Sequence, residues 1–116
     1  CNRVLMDEFP KIHLFGESWV RSVFNQAYFT KNNINFPFKC NLPGTLDFMV
    51  QTGILDGLNQ NYDWDTGVQK LYQILAQDGA YQDASKNVTF LENHDTDRYF
   101  SVIGEDFDKY KMGITW

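Results

Sequence analysis

The sequence predicts an α/β fold of about three βα units in series, and three observations carry that expectation. Short, largely apolar runs stand at 12–15, 45–48 and 88–91, each brief as the strands of parallel sheets are. Stretches with apolar residues at helical spacing separate them, giving the alternation that βα units require. Two of the runs are followed within two residues by an acidic residue, and in barrels of alternating strands and helices the functional groups cluster where strands run out.

Each element follows from local pattern. Residues 2–9, with Val4, Leu5 and Phe9 apolar, read as the end of a helix stopped by Pro10. Ile12-His13-Leu14-Phe15 is then a buried strand. Val20, Val23, Phe24 and Ala27 recur at helical spacing, while Asn32-Asn33-Ile34-Asn35-Phe36-Pro37 reads as a loop above the site. Residues 45–48 give the second strand, and Val50, Ile54, Leu55 and Leu58 form the stripe of a helix after it. Asp65 or Thr66 caps a further helix in which Val68, Leu71, Tyr72 and Leu75 share a face, with Gly79 as its stop. Residues 88–91 are the third strand, and 105–116 a last helix with Phe107, Tyr110 and Ile114 on one side. No repeat or low-complexity tract interrupts the order, and residues 1–116 read as one domain.

Composition excludes some functions. Hydrophobic residues make up 43% and charged residues 22% of the 116, ordinary for a globular chain. The net charge of −5 argues against nucleic acid, which calls for a basic patch, and suits a neutral polysaccharide. No apolar stretch approaches the roughly 20 residues of a bilayer span, and no signal peptide is visible. The aromatic share of 16% is high. Rings such as Trp19 can form platforms for sugar faces, although core packing accounts for most such residues.

The two strand ends carry the chemistry. Gly16-Glu17-Ser18-Trp19 follows the first strand, and Phe90-Leu91-Glu92-Asn93-His94-Asp95-Thr96-Asp97-Arg98 contains the third strand's end. With the strand-like Asn41-Leu42-Pro43-Gly44-Thr45-Leu46-Asp47-Phe48 between them, these strings resemble, in order and spacing, signature regions of the α-amylase family of glycoside hydrolases, in its neopullulanase and cyclomaltodextrinase branch. The resemblance implies a partial (β/α)8 TIM barrel, covering roughly the fifth to seventh strands of a catalytic domain that needs about 250 residues. It implies that Glu17 is the general acid/base, that Asp95 stabilises the transition state, and that His94, Asn93 and Trp19 bind substrate. The family's Asp nucleophile has no counterpart in this chain, so the chain is expected to be part of a longer enzyme and inactive alone. The implied substrate is an α-glucan: starch, pullulan, maltooligosaccharides or cyclodextrins. Calcium is implied only for the parent enzyme, and no cofactor or metal for these residues. Relatives of this kind often work in the periplasm or outside the cell.

Other readings compete at each position. Glu17 could be a solvated loop carboxylate, His94 a core histidine, and Asp95 a cap on its own turn. Asp95, Asp97 and Arg98 could form a surface ion-pair cluster, with Arg98 paired to Asp97 or Glu105. Asp63 and Asp65 lack the remaining ligands of a calcium loop. Cys1 and Cys40 have neither metal-ligand spacing nor a redox motif, and a disulfide between them is not expected. Asn87-Val88-Thr89 matches a glycosylation sequon but opens the third strand, and is read as accidental. A phosphate-binding barrel would need a Gly-rich loop that the sequence lacks. The alternative to an enzyme is a glucan-binding or self-associating piece, whose exposed strand edges would seek partners.

Overall fold

Six α-helices and one two-stranded parallel sheet make up the regular structure of the computed structural model, which describes every residue, Cys1–Trp116. The residues sort into two units, one of Cys1–Asp47 with Gln77–Val88 and the other of Phe48–Ala76 with Thr89–Trp116.

The first unit holds α1 (Asn2–Glu8), β1 (Phe15–Gly16), α2 (Val23–Tyr28) and β2 (Gly44–Thr45), with 3-10 turns at Asp78–Ala80 and Ala84–Lys86. α1 ends before Pro10, as its sequence predicts, but buries none of its residues. Ser22 caps α2 by accepting the Asn25 amide at 3.1 Å, and the helix buries Val23, Gln26 and Ala27. β1 and β2 pair in parallel with Phe15 opposite Gly44 and Gly16 opposite Thr45. On the other side of β2, Leu46 forms a single parallel bridge with Val88. The Val88 amide donates to Thr45 O, and the Asp47 amide to Val88 O, both at 2.9 Å.

The second unit is helical: α3 (Phe48–Asn59), α4 (Val68–Leu75), α5 (Tyr99–Val102) and α6 (Phe107–Thr115). Phe48, Val50, Ile54 and Leu58 of α3 are buried, as are Leu71 and Ile74 of α4. Gly53 lets the two helices approach, since a Cβ there would lie 2.7 Å from Ile74 Cδ1. The cap of α4 is Gly67, one or two residues later than the expected Asp65 or Thr66, and α4 ends well before Gly79. Asp106 caps α6 by accepting the amides of Asp108 and Lys109. α6 buries only Gly113, while its expected apolar face of Phe107, Tyr110 and Ile114 is exposed.

The expected partial TIM barrel of three βα units is not what forms. Regular strand structure is limited to two residues each in β1 and β2, and the third strand is reduced to the Val88 bridge. The reason lies at Phe48, where the chain turns from β2 into α3. A parallel ladder beyond Val88 would need extended backbone past Asp47, and there the backbone is already helical. Nor is the first strand buried, because Ile12 and Phe15 are 39% and 51% exposed. Phe90 packs instead edge-on against Phe48, with ring centroids 5.0 Å apart.

Gly44 is the tightest point of the first unit. A Cβ there would sit 1.9 Å from the Lys86 carbonyl oxygen, and backbone cannot swing aside as a side chain can. Gly44→Ala is expected to cost about 1–3 kcal/mol of stability, measured by urea denaturation. An unchanged midpoint would mean that the 86–88 segment is not held against β2.

Candidate functional site

Glu17 follows the last residue of β1 and is exposed. Its neighbours are fixed. Gly16 O accepts from the Leu46 amide at 2.9 Å and from Thr45 Oγ1 at 3.0 Å, and Ser18 Oγ lies 3.1 Å from Thr45 Oγ1. Ser18 and Thr45 are both buried. Trp19, beyond them, is 61% exposed. A carboxylate and an indole thus stand at the carboxyl end of a parallel strand pair, where functional groups of α/β proteins collect.

Asn93, His94 and Asp95 form a tight turn in the second unit. Asn93 Oδ1 accepts the Asp95 amide at 3.0 Å, and Thr96 Oγ1 accepts the Asn93 amide at 2.8 Å. Asn93 Nδ2 is buried without a hydrogen-bond partner. The His94 side chain is 83% exposed, which removes the core-histidine reading, and its Nε2 lies 3.3 Å from Asp95 Oδ2. Arg98 pairs with neither Asp97 nor Glu105. Its Nη1 donates to Glu92 Oε1 at 2.7 Å, and the other Glu92 oxygen accepts the Tyr99 amide at 2.5 Å. The Arg98 hydrogen bond, then that amide, hold the Glu92 carboxyl below its ordinary value. Glu92, Arg98, Tyr99 and Tyr110 line a cleft of about 620 Å³.

Sequence reasoning passed over the most buried carboxylate. Asp47, 4% exposed, accepts Gln26 Nε2 at 2.9 Å and Asn87 Nδ2 at 3.4 Å. Gln26, fully buried, also donates to the Tyr81 phenol at 2.7 Å. Burial, and next the negative charge of Asp47, push the Tyr81 phenol well above its ordinary value; the same two causes raise Asp78. Asp47 lies inside the 45–48 run, whereas Glu17 and Asp95 lie beyond theirs, so it did not stand out as a strand-end acid. Gln26 gave no signal, because a Gln on a helix reads as solvent-facing.

The structure therefore groups Glu17 with Trp19 in the first unit, and Asn93 with His94 and Asp95 in the second. No three His, Cys, Asp or Glu side chains come together in a way that could hold a metal ion. No helix is long and apolar enough to cross a membrane. No family model matches the chain.

The lowered Glu92 carboxyl has a definite pH signature. A group whose folded value is depressed adds stability above its unfolded value, and loses it as pH falls through the folded one. Glu92→Gln should therefore be less stable than the parent chain at neutral pH, and the difference should shrink on acidification below the ordinary carboxylate range. Melting temperatures across pH measure this, and a difference independent of pH would contradict it. In the first unit, Tyr81→Phe strips one acceptor from the buried Gln26 amide and should cost about 1–3 kcal/mol in denaturant unfolding. A neutral result would show the amide finding another partner.

Proposed function

We propose that this chain carries the proton-transfer and sugar-positioning residues of a retaining glycoside hydrolase acting on α-glucans, its nucleophilic Asp coming from outside these 116 residues. The observation that carries the reading is the ordered pair of strings Gly16-Glu17-Ser18-Trp19 and Asn93-His94-Asp95, which resembles the α-amylase family. It is supported by the exposure of Glu17 and Trp19 just past β1, and of the His94 and Asp95 side chains on their turn. The reading rests on these positions and not on a barrel.

Retention takes two carboxyl groups about 5–5.5 Å apart. One attacks the anomeric carbon while the other, Glu17, gives its proton to the departing glycosidic oxygen. Glu17 then takes a proton from the water that breaks the glycosyl-enzyme bond, and returns to its starting state. Asp95 accepts hydrogen bonds from adjacent sugar hydroxyls, a contact useful to rate only as far as it strengthens when the ring flattens and gains positive charge. His94 donates to a hydroxyl beside it. Trp19 offers a flat apolar face to a sugar ring.

A second reading, association of the chain with copies of itself, is favoured by one observation. Phe9, Phe15, Phe38 and Trp64 are 52%, 51%, 76% and 90% exposed, and Phe15 lies on an edge strand, a feature that invites pairing.

Soluble starch should remain uncut by the chain alone, as followed by reducing-end release; turnover would place a nucleophile within these residues. Once activity is supplied by a nucleophile-bearing partner segment, Glu17→Gln should lower turnover about 10²–10⁴-fold with glucan affinity retained, and unchanged turnover would remove Glu17 from the mechanism. Light scattering of the isolated chain should give a mass above that of one copy. A monodisperse monomer would end the association reading.

A further inference from the structure

The residues on both sides of Glu17 are tied to one side chain. Thr45 Oγ1 lies 3.0 Å from Gly16 O and 3.1 Å from Ser18 Oγ. A threonine hydroxyl has a single proton to give. The Gly16 carbonyl can only accept, so that proton goes to Gly16, and Thr45 in turn accepts the proton of Ser18. Both bond directions are thereby fixed. Thr45 is 0% and Ser18 6% exposed, and an unpaired hydroxyl at such depth is costly.

Thr45 is itself locked in place. Its amide donates to Asn87 Oδ1 at 3.1 Å, its carbonyl accepts the Val88 amide at 2.9 Å, and its Cα pairs with Gly16 across the sheet. Glu17 is therefore the exposed middle residue of a three-residue span whose two ends are held by one buried hydroxyl. A general acid has to reach the leaving oxygen at hydrogen-bond distance, and a displacement of about 1 Å can cost about 10²-fold in rate. We infer that Thr45, which touches no substrate, is the positioning residue that aims the Glu17 carboxyl. The inference rests on the proton-transfer role proposed for Glu17.

Two maltooligosaccharides test it, one ordinary and one with a glycosidic oxygen replaced by a secondary amine. The amine, once protonated, pairs with a carboxylate standing where the acid would deliver its proton. Calorimetry on the 116-residue chain should show the amine-linked sugar bound about tenfold or more tightly than the ordinary one. Glu17→Gln should abolish that preference. Thr45→Val should remove most of it while leaving affinity for the ordinary sugar unchanged, and Thr45→Ser, which keeps the hydroxyl, should restore it.

The outcomes separate the two claims. If Glu17→Gln keeps the preference, or neither sugar binds, the role of Glu17 fails and the inference falls with it. If Glu17→Gln abolishes the preference but Thr45→Val keeps it, the role stands and the positioning claim is overturned. Should Thr45→Val not fold, Ser18→Ala decides, since it removes one of the two ties; a full preference there overturns the claim.

Discussion

Asp47 is a carboxylate with 4% of its surface exposed, and an ionised group at that depth is tolerated only when hydrogen bonds replace its water. Those bonds arrive from far along the chain. Gln26 reaches it from α2 and Asn87 from the segment after the second 3-10 turn. Gln26 binds Tyr81 as well, so one buried carboxylate and one buried amide connect α2, the end of β2 and the returning 77–88 stretch. With Asp47 held, β2 keeps Val88 on one side and β1 on the other. Register at β1 then places the residue after Gly16 at a defined strand end.

The same region explains which parts of the fold could be read in advance. Helix positions were legible where apolar residues repeat at helical spacing, as at Ile54 and Leu58, both buried, whereas in α4 the expected face holds only in part: Leu71 is buried, Tyr72 and Leu75 are exposed, and Ile74 is buried instead. Strand lengths were not. The run ending in Asp47 and Phe48 looks extended by composition, yet Phe48 begins α3, and the packing of its ring against Phe90 is a contact no local pattern reports. Caps show the same limit. Asp65 and Thr66 have better capping side chains than Gly67, but Gly67 takes a positive φ of 64°, a conformation open to glycine at little cost.

Site residues divided along similar lines. Glu17 and Asp95 stood out because an acid after an apolar run is conspicuous. Asp47 lies within its run and ends up buried, and nothing in its immediate sequence reports that burial. Its partners there, Gln26 and Asn87, lie 21 and 40 residues away. Arg98 forms an ion pair, but its partner is Glu92, six residues back, and not the Asp97 or Glu105 that the sequence suggested. Glu17, Trp19 and His94 face solvent, whereas Asp47, Gln26 and Thr45 are buried.

The central claim is that a glucan meets the chain at Glu17 and Trp19, at the end of β1. Backbone and indole N–H resonances of the isotopically labelled chain, followed by NMR during titration with an ordinary maltooligosaccharide, test it most directly. The account predicts saturable shifts at Glu17, Ser18 and the Trp19 indole. Shifts confined to other residues, or none at saturating sugar, would contradict it.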